Sequence, residues 1–183
     1  MKIIVWLWNP WDQYKLTRHN LWFMFLDFML DHPLSTSSLR NNSFSSFRYE
    51  SKFKADISSW NYKWEKILLV KPQTFMNLSG ESILALKNFY KLEASDFLII
   101  YDDISMEFWK VRFRSTGSAW GHNGVKDIIR ILWADFPRLK VGIDHNKRYD
   151  VSNWVLSKFS EEELIDLDSE VWKKIEEKLE EII

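Results

Sequence analysis

The chain contains no cysteine. That absence excludes disulfides, thiol nucleophiles and cysteine-based zinc sites together. Glycine is also scarce, at 5 of 183 residues, where average usage of about 7% would supply roughly 13. So few glycines leave few residues that reach left-handed backbone without strain. No apolar run approaches the roughly 18 residues a membrane span needs. The nearest, Leu21 to Leu30, carries Asp27 and stops at Asp31, so it reads as a core helix. Met1-Lys2-Ile3-Ile4-Val5 starts straight into strand-like sequence, without the pattern of a signal peptide. A cytoplasmic protein with no membrane partner is expected.

What is abundant is tryptophan, 11 residues, within a chain 46% hydrophobic and 28% charged. Such a chain can bury a full core and keep a solvated surface, and its length fits one domain. The net charge of −1 conceals an asymmetry. Residues 105–148 hold nine Lys/Arg against four Asp/Glu, and residues 149–183 hold four against eleven. A basic middle with an acidic tail fits a phosphate-bearing partner held on one face. A solvated acidic helix that simply ends the chain fits the tail equally well.

Hydrophobic periodicity outlines the elements. Residues 2–8 predict a buried strand, broken by Asn9-Pro10. Thr17 is placed to cap a helix running to about Leu30, and the Ser/Asn-rich stretch 33–46 reads as a loop. Strands are expected near 47–57 and 66–71, then a helix from Ser79 to Tyr90 with Ile83, Leu84, Leu86, Phe89 and Tyr90 on its apolar face. Phe97 to Tyr101 is a continuous apolar run of the central-strand kind, ending at Asp102-Asp103. Val111 to Arg114 alternates as a half-exposed strand with both arginines on one face. A helix at 122–133 and a strand at 139–143 follow. The C-terminal helix, 160–182, opens with a Ser160/Glu163 capping box and carries a stripe at Leu164, Leu167, Val171, Ile175, Leu179 and Ile182. Strands alternating with helices make residues 1–183 a single α/β domain.

In α/β sheets, functional groups gather beyond the carboxyl ends of strands. Asn9 follows the first strand and Asp102 ends the most hydrophobic one, so both reach one crevice if those strands are neighbours. His19 lies in the first turn of the first helix, Asn77 between a strand and a helix, and His122-Asn123 at a helix start. A histidine beside a carboxylate is a minimal general base. Asparagines can donate to a developing oxyanion without adding charge. No G-x-S-x-G elbow occurs, which favours direct attack by water. Each feature also has a plainer reading: His19 as a helix-start group, Asp102-Asp103 as a turn or a Mg²⁺ pair, Asn9-Pro10 as a turn. The four histidines, at 19, 32, 122 and 145, have no metal-ligand spacing, and no P-loop or G-x-G-x-x-G is present. Neither a metal nor a cofactor is expected.

Five blocks in order carry a resemblance: N-P-W-D-Q-Y-K-L-T-R-H-N (9–20), K-P-Q-T-F-M-N-L-S-G-E-S (71–82), Y-D-D (101–103), G-H-N-G-V-K (121–126) and F-P-R-L-K-V-G-I (136–143). The chain resembles bacterial peptidyl-tRNA hydrolase from end to end. The resemblance implies one α/β domain with a mixed sheet flanked by helices. It implies hydrolysis of the ester joining a peptide to tRNA, with His19 as the base activating water and Asp102 orienting it. Asn9 and Asn77 would line the peptide and ester side, and Asn123 would position the water or the tRNA end. Tyr14 and Met76 would shape the pocket. Arg114 and Lys140 would clamp the tRNA 5′ phosphate, so peptidyl-tRNA, held by its acceptor stem and 3′ end, is the expected partner of a monomer. The alternative is a non-catalytic RNA-binding relative of the same fold. Where the family often reads G-I-G-R-P, this chain has Gly142-Ile143-Asp144-His145-Asn146, so the lid near 144–150 is expected to differ.

The resemblance also gives the tryptophans a meaning. Trp6, Trp8, Trp11, Trp22, Trp64, Trp109, Trp120 and Trp133 stand where the family pattern has glycine, and Trp60 is a candidate ninth. Indoles at such positions are expected to clash, since overpacking by a methylene or two already costs roughly 1–3 kcal/mol. The hypothesis is a gene that uses UGA for glycine and has been translated with UGA as tryptophan. Reading those eight as glycine gives 13 Gly and 3 Trp. The gene is expected to carry UGA at these eight codons, and sequencing that finds UGG at most of them overturns the hypothesis.

Overall fold

A computed structural model describes residues 1–10, 12–21, 24–25, 45–62 and 64–183. Among these, seven strands form one sheet: β1 (Lys2–Trp6), β2 (Arg48–Glu50), β3 (Ala55–Tyr62), β4 (Glu65–Pro72), β5 (Phe97–Asp103), β6 (Val111–Arg114) and β7 (Arg138–Gly142). Their order is β2-β3-β4-β1-β5-β7-β6. The middle is parallel, with β1 between β4 and β5 and β7 beyond β5. Both edges are antiparallel, β2 and β3 on one side and β6 on the other. The sheet is therefore mixed.

The continuous apolar runs sit at the centre because both faces there are covered. Along β1 and just beyond, Ile3, Val5 and Leu7 enter one apolar cluster, while Ile4 and Trp6 enter the other. This is the two-residue period of a strand feeding two cores. On the first face lie α1 (Ser79–Tyr90) and α2 (Asn123–Leu132). On the second lies the C-terminal region, built from the short helix α3 (Val151–Val155), α4 (Glu161–Asp166), a π turn at Leu167–Val171 and α5 (Trp172–Ile182). Leu167, Val171, Ile175 and Leu179 of the expected stripe are buried there. The Ser160/Glu163 capping box is formed at both of its hydrogen bonds.

Several boundaries differ from the sequence reading. The stretch 47–57 is two strands, because Ser51–Phe53 makes a 3₁₀ turn and Lys54 turns left-handed at φ 49; the second strand then runs on to Tyr62. Thr17 precedes a 3₁₀ turn, Arg18–Asn20, and makes no side-chain cap. Its hydroxyl instead donates to the Tyr14 carbonyl at 2.8 Å. Leu21, Met24 and Phe25 are helical, but the rest of the expected helix, most of the Ser/Asn loop, and Trp11 and Trp22 lie outside the described residues. Leu84 and Phe89 face solvent rather than the core of α1. The C-terminal helix is not continuous: the π turn interrupts it and α3 precedes it.

The tryptophans divide into two sets. Trp6, the last residue of β1, and Trp8, two residues beyond it, are both buried and neither takes positive φ. Trp8 donates its indole N–H to the Pro72 carbonyl at 2.7 Å, whereas the buried indole nitrogen of Trp6 has no hydrogen-bond partner among the described residues. Trp64, Trp109, Trp120 and Trp133 adopt φ of 73, 62, 44 and 61. For a bulky residue these are outliers that glycine occupies without strain. Trp133, the C-cap of α2, has ψ −163, which places it in a region populated almost only by glycine. Three of the four gain little from their indoles, since Trp64, Trp120 and Trp133 are 104%, 73% and 79% exposed. Replacing these three with glycine is expected to raise the unfolding free energy by about 1 kcal/mol or more per site, read by urea denaturation. A triple variant less stable than the parent would show that the backbone prefers tryptophan there.

Candidate active site

Parallel strands β1 and β5 end side by side at the point where the chain turns from one half of the sheet to the other. A crevice must open there. It is a cavity of about 890 Å³ whose wall includes Asn9, His19, Met76, Asn77, Asp102, His122 and Asn123. The opposite wall comes from α3, through Val151, Ser152 and Val155. The sequence reading left that element unassigned, since five residues are too few for a helical period to show.

The floor is polar and buried. His19 Nδ1 lies 2.8 and 3.0 Å from the two oxygens of Asp102. With Nδ1–H donating to the carboxylate, the basic Nε2 is left for the cavity. Asp102 is almost wholly buried. Burial pushes its carboxyl pKa up, but the attraction and hydrogen bonding of His19, with His122 close by at 3.4 Å, outweigh it and hold the group well below the usual carboxylate range. Asp103, next along β5, is also held low: burial raises it, while Ser105 and Lys140 overcome that effect.

Two residues that sequence reasoning missed hold these groups in register. Asn20 is fully buried. Its side-chain oxygen accepts from the Asn9 backbone N–H at 2.8 Å and its amide donates to the Asn9 carbonyl at 2.8 Å. One side chain thus ties the loop after β1 to the turn that carries His19. Arg18 is buried beside it, and its Nη2 donates to both carboxylate oxygens of Glu163 at 2.9 Å. Its guanidinium stacks 4.1 Å from the Trp154 ring and donates to Ser157 Oγ. Arginine suits a site that combines ring stacking with hydrogen bonds from two of its nitrogens in a way lysine does not. The signal was present in the T-R-H-N run and the Ser160/Glu163 box, but nothing local linked residues 145 positions apart.

The structure brings Asn9, His19, Met76, Asn77, Asp102 and Asn123 to one cavity. Tyr14 is half-buried in the 3₁₀ turn Asp12–Tyr14, outside the cavity wall, where its carbonyl accepts the Thr17 N–H. Arg114 and Lys140 share a sheet face but are not directly opposed: Arg112 pairs with Lys140, and Arg114 pairs with the buried Arg138. Lys140 is largely buried and bonded to Asp103 at 2.9 Å. The loop after β7 is pinned, with Asp144 at φ 50 and the Trp154 indole donating to the Asp144 carbonyl at 2.8 Å. His19, Asp102 and His122 stand close enough to hold a divalent metal. However, Asp102 already receives His19, and the Nδ1 of His122 is occupied by a backbone amide.

An α/β sheet with a histidine–carboxylate pair on the floor of a crevice, rimmed by amides, is an arrangement that can serve a hydrolase by activating water. The family model for peptidyl-tRNA hydrolase matches residues 3–183. The peptidyl-tRNA hydrolase of Bacillus cytotoxicus is 42% identical over 175 residues, covering 94% of this chain and 88% of that protein. That of Clostridium perfringens is 44% identical over 164 residues, covering 89% and 81%. Two crystal structures of peptidyl-tRNA hydrolase from Acinetobacter baumannii superpose with TM-scores of 0.80 and 0.75, at 29% and 28% identity. They cover 96% and 100% of this chain, and 87% and 94% of theirs. The chain belongs to the peptidyl-tRNA hydrolase family.

The depressed carboxylates make acid stability a test of the site. A group whose folded pKa lies below its unfolded value of about 3.8 stabilises the fold above that value, and the contribution fades as pH falls toward the folded pKa. Urea unfolding of the wild type is therefore expected to weaken steeply below pH 4. Asp102→Asn should show a shallower acid limb, with Asp103 responsible for what remains. An unchanged limb would mean that Asp102 is not held low.

Proposed function

We propose that the chain hydrolyses the ester joining a peptide to the 3′ ribose of tRNA, with His19 as the general base. The observation that carries this is the 2.8 Å contact of His19 Nδ1 with buried Asp102 on the floor of a cavity rimmed by Asn9, Asn77 and Asn123. Asp102 fixes the His19 tautomer and stabilises the imidazolium that forms. A water at Nε2 gives up its proton to His19 as its oxygen attacks the ester carbonyl carbon. The asparagine amides are suited to receive the oxyanion. As the tetrahedral centre collapses, the bond to the ribose 3′ oxygen breaks and the proton on His19 passes to that oxygen. The products are tRNA with a free 3′ hydroxyl and a peptide carboxylic acid, which loses its remaining proton to solvent, so tRNA from aborted translation is recycled.

Apolar groups from α3 and Met76 fit the peptide side of the cavity, and Asn123 fits the tRNA end. Arg114 is exposed, and with Arg112 and Lys140 it makes a basic strand pair beside the site. Phosphate contacts there would position the acceptor stem without reading its sequence. A monomer working in the cytoplasm suffices, since the described residues of one chain supply every group named. A non-catalytic RNA-binding relative would have no need of the buried His19–Asp102 pair.

His19→Ala is expected to slow release of peptide from N-blocked aminoacyl-tRNA by about 10²–10⁴-fold, the range of a lost general base. Retained turnover would overturn the base assignment, and an inactive wild type would favour the RNA-binding reading.

A further inference from the structure

His122 lies behind the catalytic pair, and the chemistry above makes no use of it. It is the N-cap of α2, and its Nδ1 accepts the Val125 backbone N–H at 3.3 Å. A ring nitrogen that accepts a hydrogen bond carries no proton, so the ring proton of neutral His122 sits on Nε2. That nitrogen is buried and completes no hydrogen bond among the described residues. It lies 3.4 Å from Asp102 Oδ1, the oxygen that His19 Nδ1 meets at 2.8 Å. The two imidazole rings stand 4.9 Å apart, centre to centre, and the Tyr101 ring meets His122 edge-on at 5.0 Å.

The carboxylate therefore lies between two imidazoles, and only one of them can accept a proton without loss. Protonating His122 would turn Nδ1 into a donor aimed at the Val125 N–H and so destroy the cap. It would also set a second cation beside His19 during turnover. The titratable groups facing His122 are Asp102, Tyr101 and His19, with Asp103 further along β5. Burial, the largest influence, pushes the His122 pKa down, and Asp102 only partly opposes it.

We propose that His122 is a positioning residue of the hydrolysis. It acts as a neutral Nε2–H donor, locked by the Val125 amide, that holds Asp102 Oδ1 in place and confines proton uptake to His19. This rests on His19 as the base. A merely structural cap would serve the helix and leave the chemistry alone, and two near-isosteres separate the roles. In His122→Asn the side-chain oxygen can still cap the helix, but its amide is too short to reach Asp102. In His122→Gln the amide nitrogen reaches the place of Nε2, while the cap is lost.

His122→Asn is expected to keep the wild-type melting temperature and KM while kcat falls about tenfold, the effect of losing roughly 1.4 kcal/mol. The acid limb of its kcat/KM profile should move to higher pH, because a carboxylate relieved of one donor holds the His19 proton more tightly. His122→Gln should melt lower yet keep kcat within about threefold, the effect of roughly 0.65 kcal/mol, with the acid limb unmoved. A His122→Asn enzyme with wild-type kcat and acid limb overturns the proposal, as does a His122→Gln enzyme that loses as much kcat. Nitrogen-15 shifts of the wild-type rings give an independent reading: His122 should stay neutral and Nε2-protonated from pH 5 to 8, and a ring titrating in that range overturns it. His19→Ala, assayed alongside, tests the base assignment by itself, because neither the ring shifts nor the melting temperatures depend on it.

Discussion

The site depends on keeping one carboxylate charged where water cannot reach it. Asp102 ends the most hydrophobic strand of the sheet, and burial alone would neutralise it. It stays anionic because two imidazoles approach it, one from the turn after β1 and one from the cap of α2. A buried charge is tolerable only when paired and hydrogen-bonded. Both partners must therefore be held in place by parts of the chain far from β5. Asn20 bracketing Asn9 does this for the His19 turn, as does Arg18 gripping Glu163, and the Val125 amide does it for His122. The C-terminal helices serve the same arrangement: α3 walls the cavity, while Glu163 both caps α4 and anchors Arg18.

The tryptophans bear on the same machinery. Trp8 precedes Asn9, and Trp120 sits in the cavity wall at φ 44, two residues before His122. Four of the described tryptophans take positive-φ backbone, and three of them lie largely in solvent. A backbone that turns this way at successive loop junctions is built for a residue with no side chain. Gly142 illustrates the need for such a residue: a Cβ there would stand 1.9 Å from the Glu107 carbonyl oxygen. Trp6 and Trp8 are accommodated because neither position demands positive φ and both side chains are buried in the core. The turns allow no such latitude, so backbone strain is concentrated in them.

Much of the fold was legible from the residues because central parallel strands and amphipathic helices announce themselves by apolar period. Ser79–Tyr90, Phe97–Asp103 and Val111–Arg114 were placed to within two residues. What was not legible were the breaks: the hairpin inside 47–57, the short helix at 151–155 and the π turn at 167–171. In each, a few residues are governed by contacts with distant elements rather than by their own periodicity. The site divides in the same way. His19, Asp102 and the asparagines could be picked out as polar residues at the ends of apolar elements. Asn20 and Arg18 could not, because a buried polar residue looks like an exposed one until its partner is known.

The sequence by itself determined the family, the alternation of strands and helices, the candidate pair His19 and Asp102, and the excess of tryptophan where the family pattern has glycine. These are local properties: period, composition and motif. The tertiary structure alone decided that β1 and β5 are neighbours, which oxygen of Asp102 meets which nitrogen, and which tryptophans sit on left-handed backbone. Those facts depend on the packing of segments far apart in the chain, where the energy of a contact is set by the partner and not by the residue.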